Sequence, residues 1–195
     1  MQRVLLIISF LILAVFAKQY SYFSVDLQVS QALQTIHNSL FSDTMNLVSE
    51  IGDDYHLVII IGLVVALLFF VGLKLEALKI ALFSLTGALV GTFVKKIVSR
   101  PRPDFGLVKI QAVMSDKSFP SLHVLLFTIF FGYLFYLSIY KIKTRWLKIL
   151  IASVSAFLIL AIGLSRIYLG AHWASDVLGG YLLGAIFISL LKNHA

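Results

Sequence analysis

Three separated stretches of the sequence gather side chains suited to holding and attacking a phosphoryl group. The first is Lys95-Lys96-Ile97-Val98-Ser99-Arg100-Pro101-Arg102-Pro103-Asp104. Lys95 closes an apolar run at or near membrane depth, where an unpaired lysine costs up to about 2.5–3.5 kcal/mol. A cost of that kind calls for a partner. Pro101 cannot continue a helix and moves the residue before it out of the α region, so the loop is stiff and the direction of Arg102 is fixed. The second stretch is Phe119-Pro120-Ser121-Leu122-His123, where another apolar run begins. Ser121 suits a helix N-cap, and a helix start offers free N–H groups to an anion. The third is Ser165-Arg166-Ile167-Tyr168-Leu169-Gly170-Ala171-His172-Trp173-Ala174-Ser175-Asp176. If a helix has begun by His172, Asp176 shares its face, accepts a hydrogen bond from one ring nitrogen, and leaves the other free to attack. Arg166 can grip phosphate with a forked guanidinium.

Each stretch alone has a plainer reading: a snorkelling basic collar, an interfacial histidine, a structural His–Asp pair. Their conjunction is far more specific. Two histidines in different surroundings suit a two-step transfer in which one attacks phosphorus and the other protonates the leaving oxygen. Lys95, Arg102 and Arg166 would hold the equatorial oxygens and offset transition-state charge. No metal and no cofactor are expected, because the acids near these stretches are few and none form a magnesium cage. The absence of cysteine excludes disulfides, thiolate metal sites and cysteine nucleophiles. His37, His56 and His194 carry no such signal.

The elements that position these residues are set by hydropathy. Of 195 residues, 60% are apolar and 13% charged, with a mean hydropathy of +0.98. Soluble domains carry about 45–50% apolar and about 25% charged residues. A water-soluble globule and a disordered chain are therefore both excluded. Apolar runs at about residues 4–17, 56–73, 78–98, 121–140, 147–164 and 173–191 predict six crossings of about 20 residues. They are too long and uniform for barrel strands, and only helices or closed barrels satisfy the backbone in lipid. The expected fold is all-α: a polytopic membrane protein, a six-transmembrane-helix bundle forming one domain over residues 1–195. The first run reads as a retained helix, with Lys18 snorkelling; the rival is a cleaved leader ending at Val15-Phe16-Ala17. Residues 19–54 read as an amphipathic segment between helices 1 and 2, on or beside the membrane, with Leu33, Ile36, Leu40, Leu47 and Ile51 at helical intervals. Gly87 with Gly91, and Gly180 with Gly184, predict close helix packing.

Six crossings place both termini on one side, and the 16 basic residues divide equally between the two sides. The run from Lys141 to Lys148 lies in a short link, where the positive-inside rule is strongest. The termini are therefore expected in the cytoplasm, in the cell membrane. The three phosphoryl-type stretches then fall together on the outer side. Topology does not explain their cations there, and an anionic ligand does.

Lys95 with Arg102-Pro103, Pro120-Ser121-Leu122-His123, and Ser165-Arg166 with His172 and Asp176 together resemble the type 2 phosphatidic acid phosphatase (PAP2) family of membrane lipid phosphatases. That family's pattern is Lys, six residues, Arg-Pro; then Pro-Ser-Gly-His; then Ser-Arg, five residues, His, three residues, Asp. The first and third parts are complete with their spacing. The resemblance spans residues 95–176, and the six-helix layout extends it over most of the chain, as in compact bacterial members. It implies that His172 is the nucleophile forming a phosphohistidine, that Asp176 supports it, and that His123 is the general acid. It also implies that Lys95, Arg102, Ser121, Leu122 and Arg166 bind phosphate. The implied activity is metal-independent hydrolysis of a lipid phosphomonoester or pyrophosphate. Candidates are phosphatidylglycerophosphate, phosphatidic acid, diacylglycerol pyrophosphate and undecaprenyl pyrophosphate. The implied partners are that lipid and the bilayer, with no nucleic acid; the sequence sets no oligomeric state. Leu122 departs from the family glycine, keeping the N–H but adding bulk where a backbone approaches phosphate. That departure opens three readings: lower activity, a changed substrate preference, or a non-catalytic lipid-phosphate-binding or transport-related protein. A lipid phosphotransferase using the same histidine is a further alternative.

Overall fold

The computed structural model describes residues 1–191; His194 lies outside them. Among the described residues there are eight helices: α1 (Gln2–Gln19), α2 (Ser24–Gln34), α3 (Ser39–Ile51), α4 (Asp54–Phe70), α5 (Lys74–Val98), α6 (Leu122–Lys141), α7 (Arg145–Tyr168) and α8 (Ala174–Leu191). Helices α1, α5, α6, α7 and α8 are each long and apolar enough to cross a membrane, and the α3–α4 pair, bent by 65°, brings the spans to six if it is counted as one. The protein is thus an all-helical, multi-pass membrane bundle.

Helix ends follow local chemistry. α5 stops where Ser99 takes a left-handed conformation (φ 55°) and donates its N–H to the Lys95 carbonyl at 2.9 Å, with Pro101 just beyond. α3 starts where the Asn38 side chain accepts from the Phe41 N–H at 3.0 Å. That cap corrects the reading of residues 19–54 as one amphipathic stretch: two helices stand there, and the stripe does not run through the break. Leu40 and Leu47 are exposed, while Met45, Val48 and Ser49 face inward. α7 runs on to Tyr168, so Ser165 and Arg166 lie in its last turn and not in a polar link.

α6 is the central helix. Its Val124, Phe127, Phe130 and Phe131 join Ile162 of α7, Val177 of α8 and Ile80 of α5 in one core. α1 packs from the other side through Phe10 and Ala17, with Phe10 stacked on Phe119 at 5.9 Å. Gly91 lets α5 approach α6, since a Cβ there would stand 2.5 Å from Leu122 and 2.7 Å from Leu125. Gly180 does the same for α8, opposite the Ser121 carbonyl and Val124. These close contacts bring the C-terminal ends of α5 and α7 beside the N-terminal ends of α6 and α8. α2 and α3 lie across this end, tied to it by Ser165 Oγ donating to the Met45 carbonyl (2.7 Å) and by Gln34 Nε2 donating to the Tyr168 carbonyl (3.0 Å).

Candidate active site

The end of the bundle covered by α2 and α3 holds every residue the sequence singled out. His172 sits in the corner between α7 and α8, 1% exposed. Its Nε2 is 3.1 Å from Arg102 Nη1, which also donates to the Ala171 carbonyl at 2.6 Å. Guanidinium only donates, so this contact assigns Nε2 the lone pair and Nδ1 the proton. Nδ1 faces Asp176 Oδ2 at 3.6 Å, too long for a hydrogen bond. The shared helical face expected for this pair does not form, because α8 begins at Ala174, after His172. Asp176 instead works from the first turn of α8: Oδ2 accepts from the Trp173 N–H at 2.9 Å and from Ser118 Oγ. This is half of a capping box, which ties the helix start to its own carboxylate.

Lys95 is buried and does have a partner. Its Nζ donates to Asp116 Oδ2 and, at 2.8 Å, to the Lys117 carbonyl. Arg102 Nη2 meets the other oxygen of the same carboxylate, and Arg102 Nε donates to the Asp116 carbonyl at 2.8 Å. Burial raises the Asp116 pKa, but the Lys95 and Arg102 contacts more than offset it and hold the carboxyl at about 2. Burial lowers the His172 pKa well below the ordinary histidine value, and the charges of Arg102, Lys95 and Arg166 push the same way. The ring is therefore neutral at neutral pH.

Across from these cations stands a group of buried donors without hydrogen-bond partners: Ser121 Oγ, His123 Nε2, and Nε and Nη1 of Arg166. Ser121 occupies the N-cap of α6 but makes no side-chain cap, contrary to the role its type suggested; its own N–H donates to the Asp176 carbonyl at 3.1 Å. Asp53 Oδ1 lies 3.8 Å from His123 Nε2. Leu122 turns its side chain onto Gly91 of α5. Lys95, Arg102, Asp116, Leu122 and His123 share a cavity of about 720 Å³ whose remaining wall is mostly apolar, with Leu57, Val58 and Ile61 of α4 and Ala88 of α5 beside Thr92 and Ser115.

Three residues that sequence reasoning missed complete the site. Asp116 is the first. Arg100 is the second, fully buried behind Asp176: it donates to Asp176 Oδ1 (2.6 Å), Ser175 Oγ (2.7 Å) and the Tyr20 carbonyl (3.1 Å). Asp26 of α2 is the third; it accepts from Arg100 Nη2 at 3.0 Å and from the Ser175 N–H at 2.8 Å. An acid in the first turn of α2 was the one visible hint. A neutral imidazole whose Nε2 lone pair is directed at Arg102, set among cations and orphaned donors beside a partly apolar cavity, can take up a phosphoryl group carried on a lipid once that contact yields.

The model of the PAP2 superfamily matches residues 76–194. The chain is 30% identical over 192 residues to phosphatidylglycerophosphatase B of Bacillus subtilis (strain 168), covering 96% of this chain and 92% of that protein. It is 29% identical over 130 residues to dolichyldiphosphatase of Saccharomyces cerevisiae, covering 63% of this chain and 53% of that protein. The crystal structure of a transmembrane PAP2-type phosphatidylglycerolphosphate phosphatase from Bacillus subtilis superposes with a TM-score of 0.86 at 28% identity, covering 98% of this chain and 94% of that chain.

Proposed function

The chain belongs to the PAP2 superfamily, and from that membership we propose that it is a lipid phosphatase working through a phosphohistidine on His172. The substrate is a phosphomonoester or pyrophosphate of a membrane lipid. Phosphatidylglycerophosphate leads the candidates, because the relative matched over almost its whole length is named for it. Phosphatidic acid, diacylglycerol pyrophosphate and undecaprenyl pyrophosphate follow.

His172 Nε2 gives its lone pair to phosphorus while the bond from phosphorus to the lipid oxygen breaks. His123 passes a proton to that oxygen as it leaves. Water then attacks the phosphohistidine, His123 takes its proton, and inorganic phosphate departs. Lys95, Arg102 and Arg166 offset charge on the transferring group, and Ser121 with the first amides of α6 adds neutral donors. Asp176 faces the proton on Nδ1 and steadies the imidazolium. The apolar side of the cavity, between α4, α5 and α6, takes the lipid tail. The site faces away from the cytoplasm in the cell membrane, and the chain acts as one domain, since α2 supplies Asp26.

One observation carries this reading: Arg102 Nη1 stands 3.1 Å from a buried Nε2 of His172, which leaves the ring one protonation pattern, that of a nucleophile. The non-catalytic alternative rested on Leu122. Its side chain packs against Gly91 and also lines the cavity, so the added bulk falls partly at the α5–α6 contact. The test is phosphate release from the four lipids by detergent-purified protein without added metal. Release by the wild type and its loss in His172→Ala are expected. Binding of a lipid phosphate without release would overturn hydrolysis in favour of a binding protein.

A further inference from the structure

Arg102 touches the nucleophile and Lys95 shares its carboxylate partner, yet most of their donors are already engaged. Lys95 Nζ is held by Asp116 and the Lys117 carbonyl; Arg102 is held by Asp116 through Nη2 and Nε, and by Ala171 and His172 through Nη1. A phosphoryl group cannot reach both cations while the Asp116 carboxylate bridges them. Nor can it settle beside that carboxylate, because like charges repel where water is scarce. The orphaned donors of Ser121, His123 and Arg166 hold no hydrogen-bonded group, the nearest carboxylate there being Asp53 at 3.8 Å from His123 Nε2; Lys95 and Arg102 hold a carboxylate of the chain directly.

Asp116 differs from Asp26 and Asp176, the carboxylates paired to Arg100, in being able to leave. Asp26 and Asp176 are fully buried, whereas the Asp116 side chain is 49% exposed. The loop carrying it is fastened on both sides. Gln111 and Ala112 donate to the Leu169 carbonyl at 2.9 and 3.2 Å, and Ser118 donates to the Arg100 carbonyl at 2.9 Å. Asp116 lies on the segment between these anchors. Its own charge reaches water when it swings out, and the arriving phosphate takes its place beside buried Lys95, so no buried charge is left unpaired in the exchange.

We propose that Asp116 is the resident anion of the phosphate site: substrate displaces it from Lys95 and Arg102, and it returns to expel inorganic phosphate. Asp116 is then a specificity-determining residue. A phosphoryl group on a lipid brings apolar surface to the cavity of about 720 Å³ and so competes with the carboxylate. Free phosphate brings none and is turned out. The inference rests on the proposed phosphatase reading only for turnover; the exchange of anions is a binding property.

Inhibition by inorganic phosphate tests it, with Asp116→Asn against wild type and Asp104→Asn, on the same loop, as a control. Removing a competing carboxylate is expected to lower the phosphate inhibition constant of Asp116→Asn about tenfold, equivalent to about 1.4 kcal/mol. The KM for the lipid should fall less, and Asp104→Asn should match wild type. A carboxylate that merely orders the two cations predicts the opposite sign: a phosphate inhibition constant unchanged or raised in Asp116→Asn overturns the proposal. Asp116→Ser serves if the asparagine variant does not purify as a folded protein, with the same two outcomes. If the wild type releases no phosphate from any lipid, titration calorimetry with inorganic phosphate decides. Tighter binding by Asp116→Asn than by wild type upholds the exchange although the phosphatase reading has failed; equal or weaker binding refutes it.

Discussion

A nucleophilic histidine must keep its lone pair at working pH. His172 keeps it because burial, and then Arg102, Lys95 and Arg166, hold its pKa below the ordinary value of about 6.5. Protonation then needs more acid than in the unfolded chain. The limb of kcat/KM that reports the nucleophile should lie below pH 6.5, and a pH–rate profile checks it; a limb above 6.5 would show that the charges fail to act on the ring. The same sign applies to stability, since the contribution of the neutral ring is complete above pH 6.5 and is lost as pH falls. His123 has a different task. As general acid it matters only where the leaving oxygen needs a proton, so His123→Ala should cost about 10²–10⁴ in kcat on alkyl phosphates and far less on a nitrophenyl phosphate. Equal losses on both would remove it from that role. Leu122 is the third case. Because its side chain meets Gly91 of α5 and not the nucleophile, Leu122→Gly should keep or raise kcat while costing roughly 1–3 kcal/mol in stability from lost packing. Paired activity and melting measurements separate the two effects.

The corner from Leu169 to Trp173 and the loop of residues 99–121 must meet in register for the site to exist. Gly170 makes the meeting possible. It has φ +69°, and a Cβ on it would strike the Lys109 carbonyl. Gly170→Ala therefore combines a left-handed strain of about 1–2 kcal/mol with a backbone clash two residues before His172. A displacement of about 1 Å can cost about 10² in rate; kcat should fall at least tenfold with the KM changed much less, as initial rates on the lipid will show. Behind this corner the Asp26–Arg100–Asp176 chain fastens α2 to α8. Breaking a buried pair by removing one partner costs about 3–5 kcal/mol, so Asp26→Asn should melt well below wild type. These elements were unevenly legible in the sequence. The long apolar runs located α1 and α4 to α8 within a few residues, because a membrane crossing demands length and uniformity that little else imitates. Residues 19–54 were read as one amphipathic stretch because apolar spacing continues across Thr35–Asn38, and only the Asn38 cap shows that the backbone does not. α7 was cut short because Ser165 and Arg166 look like a link, although their polar groups are placed inside the last turn.

The candidate site was readable as a set because antiparallel spans alternate direction. Once the spans are counted, Lys95, His123, Arg166 and His172 must share one end of the bundle. Their partners were not readable. Asp116, Arg100 and Asp26 reach the site by contacts between residues 14 to 76 positions apart, and no spacing rule links a loop acid to a lysine on the preceding helix. The shared end is a property of the fold; which face of the membrane it meets is decided by charge. Lys143 lies in the short α6–α7 link at the opposite end, with Lys141 closing α6 and Arg145 and Lys148 in the first turn of α7, and basic clusters beside short links mark the cytoplasmic side. The chain has no cysteine, so one introduced thiol reports one position. Phe105→Cys places it on the site loop, where Phe105 is 73% exposed, and Lys143→Cys places it in the α6–α7 link. An impermeant maleimide should label Phe105→Cys on intact cells and Lys143→Cys only after lysis. The reverse pattern would put the phosphate site in the cytoplasm, and its lipid would then have to come from the inner leaflet.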